Sequence, residues 1–395
     1  MAGSAENGSA SSGMQSGMKI ACITTSVVPS KSANSIQAMK VVHALKQSRQ
    51  DVRLWVPEFE MSNWSTLADV YGLATGFDVI WLPFFPRLKL YDFCLRAVTA
   101  ATHWGADVVY TWALQAAVFG RLHGKPTVME FHDFPMGRNG PMLFGIYNRF
   151  KGKKLTLCTT RALAEGIEER FNMRFSDAEL QIAPNGTETK RYADLPQPAE
   201  ARKQLGLKDG FTVGYSGHFY PGRGMELLTD IARLIPDVNF LWVGGSQEDI
   251  APWQEELAAQ SIHNVAITGF IPNSRLPFYQ AAADVLVMPY GRKISGSSGG
   301  NIARVINPMK MFDYLASGRP IIASEIPVFH EILTEDTAIF CEPDDAPDWA
   351  KVIKALRDNP KKYNQMGIRA KECAEKYTWK NRARITLEKL ERLLE

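Results

Sequence analysis

Short apolar runs alternate with amphipathic runs along most of the chain, and this alternation predicts repeated strand and helix units. The first half predicts strands at 19–24, 52–56, 79–82, 107–111, 126–131, 155–159 and 180–183. The second half predicts another series at 211–215, 239–243, 264–267, 284–288, 320–323 and 337–340. Strands that alternate with helices form parallel sheets, so we predict an α/β protein with two doubly wound, Rossmann-like domains.

The periodic pattern stops over residues 184–205, where prolines collect, and we interpret this stretch as a linker. We therefore predict an N-terminal domain over 18–196 and a C-terminal domain over 197–378, and we expect the last helix, near 379–395, to pack back on the N-terminal domain. Residues 1–17 are small and polar, and we expect a disordered leader or an added tag there. Ligands of parallel sheets bind at the carboxyl ends of strands, so the predicted site is the gap between the domains.

Composition and charge narrow the class of protein. A chain of 395 residues with 45% hydrophobic and 22% charged residues is typical of a globular protein. Its net charge of +3, without a run of Lys or Arg, argues against a nucleic-acid partner. The five cysteines are scattered singly in mostly apolar runs, which predicts buried free thiols in a reducing compartment and so a cytoplasmic protein.

The segment 289–324 contains the clearest candidate site. It leads from a strand through a loop of glycine and serine into a helix, for which we expect Asn307 as the N-cap, Pro308 as the first helical residue and Gly318 at the end. Such a helix directs free backbone N–H groups and the positive end of its dipole into the crevice. Lys310 adds a cation to the first turn, where an acid is usual, and this conflict indicates a bound anion.

Two further features of this segment fit a nucleotide. Asp313 lies one turn after Lys310, so both side chains can line one side of the helix start, and the carboxylate could accept hydrogen bonds from two ribose hydroxyls. The preceding loop lets the backbone approach a phosphate closely, and its candidate residues are Ser298, Gly299, Gly300 and Asn301. The competing interpretation is a mobile surface loop followed by a solvated helix.

A second candidate is the stretch 211–228, FTVGYSGHFYPGRGMELL, which leads from a strand through a glycine turn into a helix. Arg223 in this turn could bind a diphosphate from the other side of the crevice, or it could be an ordinary solvated turn residue. The other candidate residues of the turn are Gly217, His218 and Gly222.

A third candidate is the strand within 126–135, which ends in Glu130, His132 and Asp133. Polar residues at the carboxyl end of a parallel strand point into the crevice, and this favours a functional role. A lone histidine more often has a structural role, so both interpretations stay open.

Five stretches resemble GT-B glycosyltransferases of the GT4 type, and the likeness extends from Met18 to Glu395. They are EFHDFP and APNGTE in the first half, and SGHFYPGRGMELL, TGFIPNSRLPFYQAAADVLVMPY and NPMKMFDYLASGRPIIASEIPVFHEIL in the second. The last is similar to the subgroup whose ribose-binding helix reads SPLK-x-FEY. The resemblance implies a GT-B fold, with two Rossmann-like domains that face each other across a cleft.

The resemblance also implies roles for single residues. Arg223 and Lys310 would bind the donor diphosphate, Asp313 would bind the ribose hydroxyls, and His132 would lie beside the transferred sugar, which makes Arg223, Lys310 and His132 the catalytic candidates. The base would lie on the backbone near Phe270 and Ile271. Asn307 joins the donor-binding candidates. The resemblance implies a retaining reaction without a bound metal, in keeping with the lack of an Asp-x-Asp motif, and no cofactor besides the nucleotide-sugar co-substrate.

The chain departs from the family pattern at three places. Val305 stands where the first of two paired acids is expected, and the second acid is Asp313 rather than the usual, longer Glu. Residues 298–301 are the candidates for the donor-sugar contacts that the missing acid would make. His218 stands where many relatives have a phosphate-binding Arg. The stretch SKSANS, 30–35, replaces a Gly-Gly loop, and we take Asn34 within it as an acceptor-side candidate, together with Glu130 and Asp133.

Two segments of the first half, 81–97 and 143–154, mix aromatic and basic residues. The four large apolar residues of the second segment, Leu143, Ile146, Tyr147 and Phe150, recur at helical spacing, and we favour core packing with a basic, solvated end. The alternative is a peripheral membrane face that brings the cleft to a lipid-linked acceptor on the inner side of the cytoplasmic membrane.

The leading hypothesis is a retaining hexosyltransferase that moves a sugar from a UDP-sugar, or a GDP-sugar, to a glycan or lipid-linked acceptor in surface polysaccharide or glycoconjugate synthesis. A UDP-sugar 2-epimerase would keep the fold, but its chemistry needs acid and base groups that the sequence does not cluster. A non-catalytic nucleotide-sugar-binding subunit is the alternative from another class. A dehydrogenase is disfavoured because no G-x-G-x-x-G follows the first strand.

Overall fold

The structure is a computed structural model that describes residues 17–295 and 300–395. In the first half, seven strands form one sheet: β1 (Lys19–Ile23), β2 (Asp51–Pro57), β3 (Asp78–Leu82), β4 (Val108–Thr111), β5 (Thr127–Phe131), β6 (Lys154–Cys158) and β7 (Leu180–Ile182). They are hydrogen-bonded in the order β3-β2-β1-β4-β5-β6-β7, and every pair is parallel.

Helices connect these strands and cover both faces of the sheet. They are α1 (Ala33–Gln47), α2 (Trp64–Tyr71), α3 (Tyr91–His103), α4 (Leu114–Leu122), α5 (Gly140–Arg149) and α6 (Arg161–Phe171). Successive residues of a strand point to opposite faces, so a strand between two helical layers must be apolar throughout. In β1, Ile20 and Cys22 pack in the core beside α1, whereas Ala21 and Ile23 pack in the core beside α3.

The second half repeats the plan with six parallel strands: β8 (Thr212–Ser216), β9 (Asn239–Val243), β10 (Val265–Ile267), β11 (Val285–Met288), β12 (Ile321–Ser324) and β13 (Ile339–Cys341). Their order is β10-β9-β8-β11-β12-β13. The helices are α7 (Pro198–Leu205), α8 (Met225–Leu234), α9 (Gln247–Ala259), α10 (Leu276–Ala281), α11 (Met309–Ser317), α12 (Ala346–Asp358), α13 (Pro360–Lys376) and α14 (Trp379–Leu394).

The last helix, α14, leaves the second half and packs on the first. Its residues Trp379, Leu387 and Leu390 are buried in the same apolar cluster as Val41 and Leu45 of α1. This helix therefore completes the core of the N-terminal domain.

Hydrogen bonds also join the two halves near the cleft. The Glu331 carboxylate accepts the backbone N–H groups of Arg161, at 2.7 Å, and Ala162, at 2.9 Å, at the start of α6. The backbone N–H of Asn273 donates to the carbonyl of Val70 at 3.1 Å. The two domains are therefore tied together on more than one side of the cleft.

The predicted α/β class with two parallel sheets is confirmed. The predicted linker was too long, because α7 begins at Pro198 within it, and α2 was not predicted. A short 3₁₀ helix, Pro327–Glu331, follows β12. The domain boundary at 196/197 stays a prediction.

Candidate functional site

The turn between β8 and α8 is shaped by glycines and positions Arg223. Gly222 and Gly224 flank Arg223 with φ angles of 79° and 87°, a region that glycine adopts at little cost. A side chain at either glycine would collide with the backbone of the segment 289–294, which follows β11. The backbone N–H of Gly291 donates to the Gly222 carbonyl at 3.1 Å. The two glycine-rich segments therefore pack together, and the Arg223 guanidinium lies over the ring of Tyr290, 5.3 Å from its centroid.

Lys310 reaches the same aromatic ring from the start of α11. Its Nζ lies 3.6 Å from the centroid of Tyr215 and 5.4 Å from that of Tyr290. This ammonium is buried and has no hydrogen-bond partner among the described residues. Burial and, secondarily, the charge of Arg223 hold the pKa of Lys310 well below its usual value. The position of Lys310 also explains why residue 217 is a glycine, because a Cβ at Gly217 would lie 2.7 Å from Nζ of Lys310.

Arg223 and Lys310 thus form a cationic pocket walled by Tyr215 and Tyr290. Within residues 17–295 and 300–395, neither cation has an ion-pair partner. Because two like charges repel and a buried ammonium without hydrogen bonds is costly, the pocket is complementary to an anion. A pyrophosphate would supply both the negative charge and the acceptor oxygens.

His218 lies on the edge of this pocket and links it to the N-terminal domain. Its ring stacks on Tyr220 with centroids 4.8 Å apart. Burial, followed by the charges of Lys310 and Arg223, lowers the pKa of His218, so the ring contributes hydrogen bonding rather than charge at neutral pH. The backbone of Lys31 lies beside the ring and acts in the opposite direction, raising the pKa of His218.

Lys31 also covers the residues expected at the donor base. Its Nζ lies 4.4 Å from the ring centroid of Phe270, and Phe270 and the neighbouring Ile271 are half-buried. The stretch 30–35 that replaces the family's Gly-Gly loop therefore closes over the second domain. Asn34, in the first turn of α1, is exposed beside it.

Asp313 does not share the pocket of Lys310, contrary to the expectation that both line one side of the helix start. One of its carboxylate oxygens accepts a hydrogen bond from Thr187 Oγ1 at 2.7 Å. Burial raises the pKa of Asp313, while Arg191 and then Lys40 are among the groups that lower it. The carboxylate is thus turned toward the segment after β7 and toward α1, and a ribose would have to bind beside Thr187.

The expected N-cap of α11 is wrong. Pro308 occupies the N-cap position without a side-chain hydrogen bond, and Asn307 lies one residue earlier. Asn307 Oδ1 instead accepts the backbone N–H of Asn185 at 2.8 Å, and its carbonyl accepts Asn185 Nδ2 at 2.7 Å. Asn307 therefore joins the loop of the Pro-Asn-Gly stretch to α11. Gly318 ends the helix with a φ of 69°, as expected.

Hydrogen bonds join the described residues on either side of 296–299. Asn301 Oδ1 accepts the backbone N–H groups of Ile294 and Ala303, and Asn301 Nδ2 donates to the carbonyl of Arg292 at 3.1 Å. These bonds occupy the Asn301 amide, which leaves little capacity for a donor sugar. Gly300 has a φ of 87°. The candidates Ser298 and Gly299 lie outside the described residues.

Val305 occupies the position expected for the family's first acid, and the structure shows an apolar contact there. Val305 is 2% exposed and packs with Phe131, Phe144 and Leu163 of the N-terminal domain. Its carbonyl accepts a hydrogen bond from Thr160 Oγ1 at 3.3 Å. A carboxylate at this position would be desolvated between the domains rather than presented to a sugar.

His132 lies just after β5, partly exposed, and Nε2 is 2.8 Å from Oε1 of Glu130. Glu130 itself is buried, so it does not offer the expected contact to an acceptor. It forms an ion pair with Arg382 of α14, and this interaction, followed by those with His132, lowers the pKa of Glu130 to about 2 against the opposing effect of burial. Asp133 is half-buried beside His132, and its Oδ1 accepts the Phe134 N–H.

Several residues of the site were not predicted from the sequence, namely Tyr215, Tyr290, Lys31, Thr187 and Arg382. Tyr290 follows the last residues of β11, and an aromatic residue at a strand's carboxyl end is a usable signal. Arg382 has no local signal, because its partner Glu130 lies 252 residues away in the chain.

Comparisons with known proteins agree with this architecture. A family described as glycosyl transferases group 1 matches residues 210–359. TuaH of Bacillus subtilis (strain 168), a glycosyltransferase assigned to teichuronic acid biosynthesis, is 28% identical over 172 residues, covering 43% of this chain and 40% of that protein. The D-inositol 3-phosphate glycosyltransferase of Arthrobacter sp. (strain FB24) is 24% identical over 295 residues, covering 72% and 65%. The chain thus spans about half the length of the curated relatives it matches.

Solved structures match over nearly the whole chain. HepE of Anabaena, solved with UDP and glucose, has a TM-score of 0.74 at 17% identity and covers 95% of this chain and 99% of its own. Sucrose-phosphate synthase of Thermosynechococcus elongatus has a TM-score of 0.72 at 20% identity, covering 95% and 99%. These likenesses confirm the predicted GT-B fold.

The described residues contain no candidate membrane span and no candidate metal site. No helix within them has both the length and the apolar character that a membrane crossing requires. No group of three or more His, Cys, Asp or Glu side chains among them could hold a metal ion.

Proposed function

We propose that this chain, a GT4-like protein of the GT-B fold with a group 1 glycosyltransferase domain, transfers a hexosyl group from a nucleotide diphosphate donor to an acceptor. The observation that carries the proposal is the pocket formed by Arg223 and Lys310 on Tyr290. It lies beside the start of α11 and near the carboxyl ends of β8 and β11, where parallel sheets bind nucleotides. UDP is the favoured nucleotide, with GDP as the alternative.

In this proposal the protein's cations stabilise the leaving group. The bond between the sugar's anomeric carbon and the phosphate oxygen breaks, and a new bond forms from the anomeric carbon to an acceptor hydroxyl oxygen. The hydroxyl proton passes to the departing diphosphate on the same face, so the anomeric configuration is retained. Arg223 and Lys310 bind the negative charge that grows on the diphosphate, and they need no metal to do so. His132 contacts the transferred sugar from the N-terminal domain.

A thermal-shift comparison of UDP-, GDP- and ADP-sugars tests the donor site. A ligand at about 100 times its Kd stabilises the native state by about 2.7 kcal/mol, which corresponds to several degrees in Tm. We expect UDP-sugars to give the largest shift, and Arg223→Met to abolish it. Lys293→Met, which removes an exposed cation from the neighbouring loop, is the matched control and should keep the shift. A panel without any shift would contradict the donor-site assignment.

Product analysis then tests the reaction class. A transferase releases the nucleoside diphosphate and attaches the sugar to an acceptor, or slowly to water. An epimerase would convert the sugar and leave the nucleotide attached, and a binding subunit would leave the donor intact. We expect nucleoside diphosphate release that Arg223→Met and Lys310→Met abolish.

We further propose that the acceptor is glycan or lipid-linked and that the N-terminal domain meets an anionic membrane surface on the cytoplasmic side. Phe59 follows β2, and Phe85 and Leu88 follow β3, so these exposed apolar side chains lie at the carboxyl edge of the sheet. Arg96 lies over the Phe85 ring at 5.1 Å, which places a cation within this apolar rim. An apolar rim with basic residues fits the interface of anionic lipids.

The second aromatic and basic segment, 143–154, fits the core-packing interpretation. Leu143 and Tyr147 are buried in the N-terminal core, while Ile146 is partly exposed. Met142 of the same helix is exposed as well, and the membrane proposal rests on the rim after β2 and β3.

Vesicle sedimentation tests this contact. We expect binding to vesicles with phosphatidylglycerol and little binding to phosphatidylcholine alone, and we expect Phe85→Glu with Leu88→Glu to abolish it. Leu122→Glu is the matched control, because Leu122 is 63% exposed but ends α4, at the opposite edge of the sheet. Equal binding by the rim variant and the control would contradict the proposed surface.

A further inference from the structure

Glu130 is the centre of a buried polar network in the N-terminal domain. Its carboxylate accepts hydrogen bonds from Arg382 Nη2 at 2.6 Å, Gln37 Nε2 at 2.6 Å and the hydroxyl of Tyr110. His132 Nε2 lies 2.8 Å from the same oxygen that Arg382 contacts. The side chain of Glu130 is 0% exposed and that of Arg382 is 6% exposed, whereas that of His132 is 24% exposed. The network therefore ends at one partly exposed side chain, His132.

Arg382 enters this network from the last helix of the chain. Its Nε and Nη2 also donate to the carbonyls of Ala183 and Pro184, which follow β7, and Nη1 donates to the Tyr110 hydroxyl at 3.4 Å. The start of α14 is fixed as well, since Thr378 caps the helix and Trp379 N–H donates to the carbonyl of Thr187 at 3.1 Å. Both members of the ion pair are thus held from several sides.

A buried ion pair contributes little net stability compared with apolar residues of similar volume, because both charges lose their hydration. The ion pair is therefore more informative about how neighbouring side chains are oriented than about stability. The ionised carboxylate can only accept, so it selects the histidine tautomer with the proton on Nε2. In this tautomer of the neutral ring Nδ1 is the acceptor nitrogen, and it has no hydrogen-bond partner among the described residues.

We propose that Glu130 and Arg382 are positioning residues for His132: they fix its ring orientation and its Nε2–H tautomer, so that the side chain offers Nδ1 as an acceptor at the cleft. Through this contact, the last helix of the chain sets the geometry of a side chain in the first domain. The inference rests on the proposed function for the use of His132, but the placement of the ring can be tested without it.

The main test uses the double variant Glu130→Leu/Arg382→Leu in the full chain. Removing both charges avoids leaving one of them buried and unpaired, so we expect the variant to fold. We expect kcat to fall by up to about 100-fold, the scale of loss when a reacting group is misplaced by about 1 Å. The affinity for UDP, which lacks the sugar that His132 contacts, should stay unchanged, because the diphosphate pocket belongs to the other domain. Arg384→Leu, on the exposed side of the same helix, is the matched control and should keep full kcat.

A spectroscopic measurement separates positioning from a merely structural role. The ring nitrogens of His132 are assigned in the ¹⁵N spectrum of histidine-labelled protein by comparison with His132→Asn. In the wild type at alkaline pH we expect the Nε2–H tautomer, and in the double variant a mixture of both tautomers. The single variant Arg382→Lys, which keeps the charge but loses the planar fork, should show a partial change in both the spectrum and kcat.

A folded double variant with wild-type kcat would overturn the proposal, as would an unchanged His132 spectrum. If the wild type transfers no sugar to any acceptor, the proposed function fails, and the His132 spectrum alone then decides whether the pair positions the ring.

Discussion

Arg223 and Lys310 lie over one aromatic ring: the guanidinium carbon is 5.3 Å and the ammonium nitrogen 5.4 Å from the centroid of Tyr290. Each approaches from a different strand–helix connection, Arg223 from the turn before α8 and Lys310 from the start of α11. Two cations held together without an anionic partner destabilise the ligand-free protein and favour a ligand that neutralises both. Removing one cation should therefore stabilise the ligand-free protein, or leave its stability unchanged, and weaken its binding of the nucleotide donor.

The variant Lys310→Met tests this opposition. Methionine keeps the length and apolar contacts of the stem but removes the buried charge, so we expect an unchanged or higher Tm for the ligand-free protein. Binding of UDP-sugar should weaken by about 2 kcal/mol or more, roughly 30-fold, because a desolvated charge contact to phosphate is lost. Calorimetric titration and thermal melts of the same preparations measure both. A lower Tm together with wild-type affinity would refute the assignment, and Lys293→Met should change neither quantity.

The lowered pKa of Lys310 predicts a pH dependence. The pKa of Lys310 is lower in the folded protein than in the unfolded chain. Between these two pKa values the folded protein binds fewer protons than the unfolded chain, so the free energy of unfolding rises with pH up to about pH 10. Donor binding needs the charged form, so the affinity for UDP-sugar should fall as pH rises through the same interval. Titrations of UDP-glucose from about pH 7 to about pH 10 measure this, since its diphosphate stays ionised throughout. The slope should vanish in Lys310→Met, and a slope that persists would assign it to another group.

The burial of Val305 predicts what happens when the family's first acid is restored by Val305→Glu. Because the side chain is buried between the domains, Val305→Glu should destabilise the protein by about 3 kcal/mol or more at neutral pH, with a raised pKa for the new carboxyl. The variant should gain no activity. Val305→Met, which has a side chain of similar length and no charge, serves as the size control and should lose far less stability in urea unfolding. Equal stability of the two variants, or higher kcat in Val305→Glu, would show that the position opens to the cleft.

The sequence patterns predicted the fold well, because a strand covered on both faces must be apolar throughout and each connecting helix must carry one apolar stripe. The strands from β1 to β13 and most of the helices around them follow from those local requirements, whereas α2 and α7 were missed. Lys310 was singled out because a helix start usually carries an acid. Arg223 on its own had the pattern of an ordinary turn residue, and it became a candidate only together with the glycine-rich segment across the crevice and the family resemblance.

The remaining contacts depend on distances in space that no local pattern encodes. Asp313 was expected beside Lys310 from helical spacing, yet Thr187 draws it toward another surface. Asn307 has the composition of an N-cap, but Pro308 takes that position and Asn307 bonds to Asn185 from the other half of the chain. Glu130 lies at a strand end like a cleft residue, and only the return of α14 to the first domain explains its burial.

That burial predicts a specific acid sensitivity. The pKa of Glu130 is lowered from 4.5 to about 2, so its ionised form contributes stability that is fully present above about pH 4.5 and is lost as pH falls toward about 2. The shift corresponds to a contribution on the order of 3 kcal/mol, by linkage. Urea unfolding from about pH 5 down to about pH 3 should therefore show a steeper loss of stability for the wild type than for Glu130→Leu/Arg382→Leu.

Glu388→Gln is the control for this measurement, because it removes an exposed carboxylate whose partner, Arg384, is also on the surface of α14. Surface pairs contribute little, so its acid profile should follow that of the wild type. Parallel profiles for the wild type and the double variant would mean that Glu130 titrates normally in the folded protein. The donors around Glu130, Arg382 above all, would then not stabilise its ionised form in the folded protein, and the network would not hold His132.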